Sequence, residues 1–147
     1  MSGVHEIRAQ VFVHATEDKE RVMKALMELF PEDVRESVTV EEEVLEGHYG
    51  NPIIKIVARV KGEHARRTLN YILSRLSNVD INAMSNTLED RVDKEGTLYF
   101  RLSKQEAYLG SLTLYEADDV IRISVHFEGN RSKALKEYRK ILGAGEL

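Results

Sequence analysis

Between residues 4 and 14 the chain alternates. Ile7, Ala9, Val11 and Val13 fall on one side; Glu6, Arg8, Gln10, Phe12 and His14 fall on the other. A period of two belongs to a strand with one face in a core and the other in water. No other feature constrains the fold as much. Such a strand needs neighbours to pair with and an apolar layer covering only one of its faces. Residues 53–60, 97–102 and 120–127 repeat the pattern. Residues 36–45 and 111–115 read as two further strands, the first alternating imperfectly.

Helical spacing separates these strands. Thr16 ahead of Glu17 and Asp18 reads as an N-cap followed by acids that suit the helix dipole. Val22, Ala25, Leu26 and Leu29 then recur on one stripe, and Pro31 ends it. Gly62-Glu63 opens a second helix with Ala65, Leu69, Ile72, Leu73 and Leu76 inside. Residues 79–92 are helical in part, and residues 104–109 form a short helical connection ending at Gly110. Asn130 caps a last helix whose apolar stripe is Ala134, Leu135, Tyr138, Ile141 and Leu142. The order β-α-β-β-α-(α)-β-β-β-α predicts one α+β domain over residues 1–147. Its sheet is largely antiparallel, with the helices packed on one face and the other face open.

Composition removes whole classes of chemistry. The chain has no cysteine, which excludes disulfides, thiolate metal sites and a cysteine nucleophile. The first residues carry no basic stretch followed by an apolar run, and no apolar stretch approaches the ~20 residues of a membrane helix. The expectation is a cytoplasmic protein without a membrane partner. No G-x-S-x-G, G-x-x-x-x-G-K-[ST] or G-x-G-x-x-G string occurs, and the five histidines show no H-x-x-x-H spacing. His14 and His126 become neighbours if their strands pair, which is thin ground for a metal. The chain reads as a protein with no catalysis, cofactor or metal of its own.

The net charge is −4, which argues against a wholly basic nucleic-acid binder. Its distribution argues otherwise. Residues 1–60 hold most of the acidic excess, concentrated between Glu36 and Glu46. The outward strand positions carry Arg8, Lys55, Arg59, Arg101 and Arg122 against one acid, Glu6, with Phe12, Tyr99 and Tyr115 among them. Cations interleaved with rings on an open sheet suit single-stranded nucleic acid, where phosphates are neutralised and unpaired bases stack. An ordinary solvated face reads the same way, with the cations paired to Glu41, Glu42 or Glu43. Lys133, Lys136, Arg139 and Lys140 on the last helix carry the same two readings. Gly47-His48-Tyr49-Gly50-Asn51-Pro52 is a dense turn signal. Its residues either hydrogen-bond and stack on a ligand or simply close the turn, with Asn51 bonding its own backbone.

Three strings, in this order and spacing, resemble the signatures of an archaeal family described as predicted RNA-binding proteins or predicted exosome subunits. They are His14-Ala15-Thr16-Glu17, then Gly47-His48-Tyr49-Gly50-Asn51-Pro52, then Arg101-Leu102-Ser103-Lys104-Gln105-Glu106-Ala107-Tyr108-Leu109-Gly110. The resemblance runs from the first strand to about Phe127, and the glycine-rich string is its most specific part. It implies an α+β fold like that of the large-subunit ribosomal protein that binds 5S rRNA, RNA binding, and a cytosolic setting. Ser103 departs from the family pattern, which has an acid there.

Two expectations follow. In the first, the protein binds RNA in RNA processing, degradation with the exosome, or ribosome maturation. Arg8, Arg59, Arg101, Lys104 and Arg122 then meet phosphate; Phe12, Tyr49 and Tyr99 stack; His48, Asn51 and Gln105 make polar contacts. In the second, the same open face is a non-catalytic interface, for a homodimer or another protein.

Overall fold

The structure, a computed structural model, describes residues 3–47 and 50–144. Its strands are β1 (Val4–Val13), β2 (Thr39–Glu46), β3 (Pro52–Lys61), β4 (Leu98–Leu102) and β5 (Ile121–Phe127). They form one antiparallel sheet in the order β2-β3-β1-β5-β4. The helices are α1 (Lys19–Met27), α2 (Gly62–Arg75), α3 (Asn78–Asn86), α4 (Leu88–Arg91), α5 (Lys104–Tyr108) and α6 (Arg131–Ala144). The fold is α+β with an open sheet, as the alternation predicts.

Alternation decides which side is covered. Ile7, Ala9, Val11, Ile56, Ala58, Phe100, Ile123 and Val125 are buried against Leu26, Leu69, Ile72 and Tyr138 of the helices. α2 lies across β1 and β3, while α1 packs on β1 and on α5. The first residues of β1 break the period. Val4 pairs with Phe127 and Glu6 with His126, so the register shifts between them. This irregularity lets Val4 and Ile7, three residues apart, both face the core.

Three local expectations change. The strand expected at 111–115 is a single bridge, Leu102 to Leu114. Two backbone bonds flank it, Ser103 N to Thr113 O at 2.9 Å and Tyr115 N to Arg101 O at 3.1 Å. The Leu114 amide points away from β4 and donates to Asp80 Oδ2 of α3 at 3.1 Å; the ladder ends where β4 gives way to α5 at Lys104. Residues 35–37 form a 3-10 turn, so the strand expected from Glu36 starts at Thr39. The cap of α1 is Asp18, whose Oδ1 accepts from Glu20 N at 2.9 Å. Thr16 lies inside a turn closed by Glu17 N to His14 O at 2.9 Å, and the helix starts only after it.

Other caps follow the expected chemistry. Asn130 Oδ1 accepts from Lys133 N at 2.8 Å. Ser103 Oγ accepts from Glu106 N at 3.1 Å and caps α5. Serine and aspartate are near-equivalent N-caps, which accounts physically for serine where the family pattern has an acid. α6 seats its buried face through Tyr138, whose hydroxyl donates to Gly96 O at 2.8 Å and reaches Val125 O at 3.3 Å. Gly96 sits at φ +89°, and a Cβ there would meet the Ala134 Cβ at 2.9 Å. Only glycine allows α6 to approach this turn so closely.

Tyr138→Phe leaves the packing and takes the hydroxyl donor from the Gly96 carbonyl. The expected loss is about 1–2 kcal/mol, read as a lower urea midpoint with an unchanged slope. An unchanged midpoint would show that the hydroxyl contributes nothing.

Candidate functional site

The strand register stacks the solvent-facing side chains in rows. One row crosses the sheet as Thr39, Arg59, Arg8, Ser124 and Tyr99. The next reads Glu41, Val57, Gln10, Arg122 and Arg101. Lys55 lies between Glu43 and Phe12, and Glu6 lies between Lys61 and His126. Arg8, Phe12, Arg59, Tyr99, Arg101 and Arg122 thus share one surface. Continuing the alternation of β3 past Arg59 adds Lys61.

The rows set arginine directly opposite arginine twice, Arg8 against Arg59 and Arg101 against Arg122. Like charges directly opposite on a sheet repel. The two pairs are relieved differently. Arg8 Nε reaches Glu6 Oε2 at 2.5 Å, and Arg59 pairs with Glu41. Arg101 donates to Ala117 O at 3.2 Å and Arg122 to Asp118 O at 3.0 Å. A carbonyl carries no net charge, so these two guanidinium groups keep theirs. Lys55 has no ion-pair partner among the described residues.

The acids of β2 correct the expectation of one carboxylate on this face. Glu41 and Glu43 point to the open side with Glu6, while Glu42 turns to the other side and meets Lys19 at 2.5 Å. The face is therefore graded: acidic along β2, basic over β1, β5 and β4.

Glu6 is nearly buried. Burial alone would push its carboxyl up. The hydrogen bond and charge of Arg8, aided by His126 and Lys61, outweigh that and hold it below its usual value. His126 is lowered by burial and by the Arg8 charge, with Glu6 opposing. Its Nε2 lies 3.2 Å from Ser124 Oγ. The Tyr99 hydroxyl is raised by burial and by its 3.2 Å bond to Asp93 Oδ2, so the ring stays neutral.

The remaining expected residues lie elsewhere. Lys104 sits beyond the end of β1 with a side chain only 10% exposed. Its Nζ donates to Phe12 O at 2.9 Å and pairs with Glu17 and Asp119, each at 2.9 Å. Gln105 is exposed on a groove of about 340 Å³ between α1 and α5. There Arg21 and Lys24 stand over the Tyr108 ring at 5.6 and 4.7 Å. Asn51 is exposed at the β2–β3 hairpin tip, where its carbonyl accepts from Gly47 N at 2.8 Å. Gly50 beside it takes φ +76°. His48 and Tyr49 lie outside the described residues.

His14 and His126 are not neighbours, because the register places His126 beside Glu6 at the opposite end of β1. His14 instead joins Glu17 and Asp119, with ligand atoms within 4.8 Å of one another. The Lys104 ammonium stands against both carboxylates, in the place a cation would take.

A residue that strand alternation does not reveal completes the basic end of the face. Arg91 of α4 reaches Glu116 Oε1 at 3.2 Å. With Tyr99, Arg101 and Arg122 it lines a cleft of about 380 Å³ at the β4 edge.

A family model described as RNA binding matches residues 6–127. An RNA-binding protein of Pyrococcus abyssi is 41% identical over 124 residues, 82% of this chain and 80% of that one. An uncharacterised protein of Methanocaldococcus jannaschii is 33% identical over 147 residues, 98% of each chain. The solved structure of a DUF54 protein from Methanothermobacter thermautotrophicus superposes with a TM-score of 0.77. It is 31% identical, with 95% of this chain and 98% of that one covered.

A carboxyl held down in the fold adds stability that is complete above its usual 4.5 and is lost as pH falls through the lowered value. Glu6→Gln should therefore unfold at lower urea than the parent protein at pH 7, and the gap should be smaller at an acid pH below 4.5. A gap equal at both pH values would show that the Arg8 pair contributes no stability.

Proposed function

The chain belongs to the RNA-binding family whose model it matches, and from that premise we propose that it binds single-stranded RNA across the open sheet face. The observation that carries this reading is the Arg101–Arg122 pair beside the half-exposed Tyr99. Two guanidinium groups held side by side with only carbonyls for partners are an unsatisfied demand for anionic oxygen. A phosphodiester meets that demand with the planar two-point geometry that arginine favours. Tyr99 and Phe12 supply ring faces for unpaired bases. Arg59 exchanges its exposed partner Glu41 for phosphate at small cost, because such pairs are worth about 0–1 kcal/mol, while the half-exposed Arg8 stays on Glu6 and offers its free edge. Asn51 at the hairpin tip extends the contact at one end. Lys104 acts from beneath, holding β1 to the 116–119 segment, and Gln105 lies on a separate groove.

Within this reading the protein is a cytoplasmic accessory factor without catalysis. It serves RNA processing or degradation alongside the exosome, or ribosome maturation, with the likeness to the 5S rRNA-binding ribosomal protein as part of the same proposal. A dimer through this face is the weaker alternative. A two-fold contact that overlays the basic ends of two copies sets cation against cation.

Filter binding with mixed-sequence single-stranded RNA should show affinity at low salt that falls steeply as salt rises. Arg122→Glu should weaken it about tenfold and flatten the salt dependence by roughly 0.7 for each phosphate no longer neutralised. No affinity at low salt would sink the reading. A dimer in light scattering that Arg122→Glu dissolves, with RNA binding absent, would favour the alternative.

A further inference from the structure

We propose that the cleft at the β4 edge is the seat of one nucleotide of the bound strand, and that the acidic segment 116–119 engages the arginines around it until RNA displaces the segment. This rests on the RNA-binding reading and adds to it a new phosphate ligand, Arg91, and a competitor built into the chain.

Four consecutive residues engage four cations from four elements. Glu116 Oε1 lies 3.2 Å from Arg91 Nη2 of α4. Ala117 O accepts from Arg101 of β4 at 3.2 Å. Asp118 O accepts from Arg122 of β5 at 3.0 Å. Asp119 Oδ1 lies 2.9 Å from Lys104 Nζ of α5. The segment has neither helix nor strand of its own. It is a bent, acidic segment that offers an oxygen to a new cation at each residue. A nucleic-acid strand offers oxygens to a row of cations in the same way.

The match is incomplete, and the mismatch favours exchange. Arg101 and Arg122 each hold one uncharged carbonyl, where a phosphate would offer two anionic oxygens. Arg91 is only 16% exposed in its side chain, with Glu116 lying beside it. Removing that carboxylate uncovers a third guanidinium next to the other two. The cleft of about 380 Å³ is bounded by Asp90, Arg91, Tyr99, Arg101, Glu116 and Arg122, a volume in the lower range of small-ligand sites. Tyr99 stands at its mouth with the hydroxyl tied to Asp93, which anchors the tip of the ring and leaves its face for a base.

The segment weakens every ligand by the fraction of time it engages these arginines. A lone anion replaces one of its four contacts; a strand replaces several at once. The arrangement therefore selects chains of phosphates over single ones.

Glu116→Gln with Asp119→Asn removes both side-chain anchors. Lys104 keeps Glu17 and the Phe12 carbonyl, so the fold around it stays. The double variant should bind mixed-sequence single-stranded RNA about fivefold tighter. Glu63→Gln with Glu137→Gln makes the same change in net charge away from the cleft and should alter affinity less than twofold. In the unmodified protein, saturating RNA should speed cleavage within residues 116–119 by a protease that cuts after acidic residues, because the segment is lifted off. Tightening no greater than in the control pair, or slower cleavage in the segment, would overturn the proposal. If the protein binds RNA and Arg122→Glu weakens it while the two double variants behave alike, this inference alone fails. If the unmodified protein binds no RNA, the functional reading falls with it.

Discussion

β1 is hydrogen-bonded along both edges, to β3 and to β5, and the rest of the molecule depends on that register. A slip of one residue would carry Arg8, Gln10 and Phe12 into the core and expose Ile7, Ala9 and Val11. Burying an unpaired guanidinium costs several kcal/mol, so the slipped state is strongly disfavoured. With the register set, α1 and α2 can pack only on the Ile7–Ala9–Val11 side. The opposite side is left to water. The same pairing brings side chains from separate parts of the chain into transverse rows, so the basic face is a direct result of burying the apolar one.

How much of this the sequence discloses depends on where each partner lies. β1, β3, β4 and β5 are spelled out by local alternation, and the helical stripes by local spacing. Ser111 to Tyr115 alternates as well as any strand. The ladder cannot lengthen because its partner β4 gives way to α5 at Lys104, which the pattern of residues 111–115 does not encode. Glu41-Glu42-Glu43 hides its period because all three residues are acids. Only pairing with β3 shows two of them facing the open side and one facing Lys19. Thr16 and Asp18 are both good caps, and the turn at His14 decides between them. Arg91 escapes for a different reason: it belongs to a short helix off the sheet, so strand alternation says nothing about it. Lys104 is found by its motif, but its three acceptors come from segments far apart in the chain.

The energetics of the face lie between two extremes. Fully bare cations on neighbouring strands would repel and weaken the sheet. Fully buried ion pairs would be costly to break. Arg8 instead holds the nearly buried Glu6, Arg59 holds the exposed Glu41, and Arg101 and Arg122 hold carbonyls. The last three guanidinium groups are oriented by partners worth little in water. Orientation without strong commitment is what a binding surface needs. The side chains are already ordered before a ligand arrives, and the partner can still be exchanged.

The net charge of −4 then works as a gradient. Glu41 and Glu43 make β2 a negative border, and paired like-charged strands are held off there as well. Over β1, β5 and β4 the sign reverses. Opposed signs on one low-dielectric surface give a potential that slopes across the sheet instead of averaging to zero. A polyanion approaching this face is repelled at β2 and drawn toward Arg122, Arg101 and Tyr99. The acids that make the whole chain negative therefore do not oppose binding at the basic end; they fix which end of the sheet it takes.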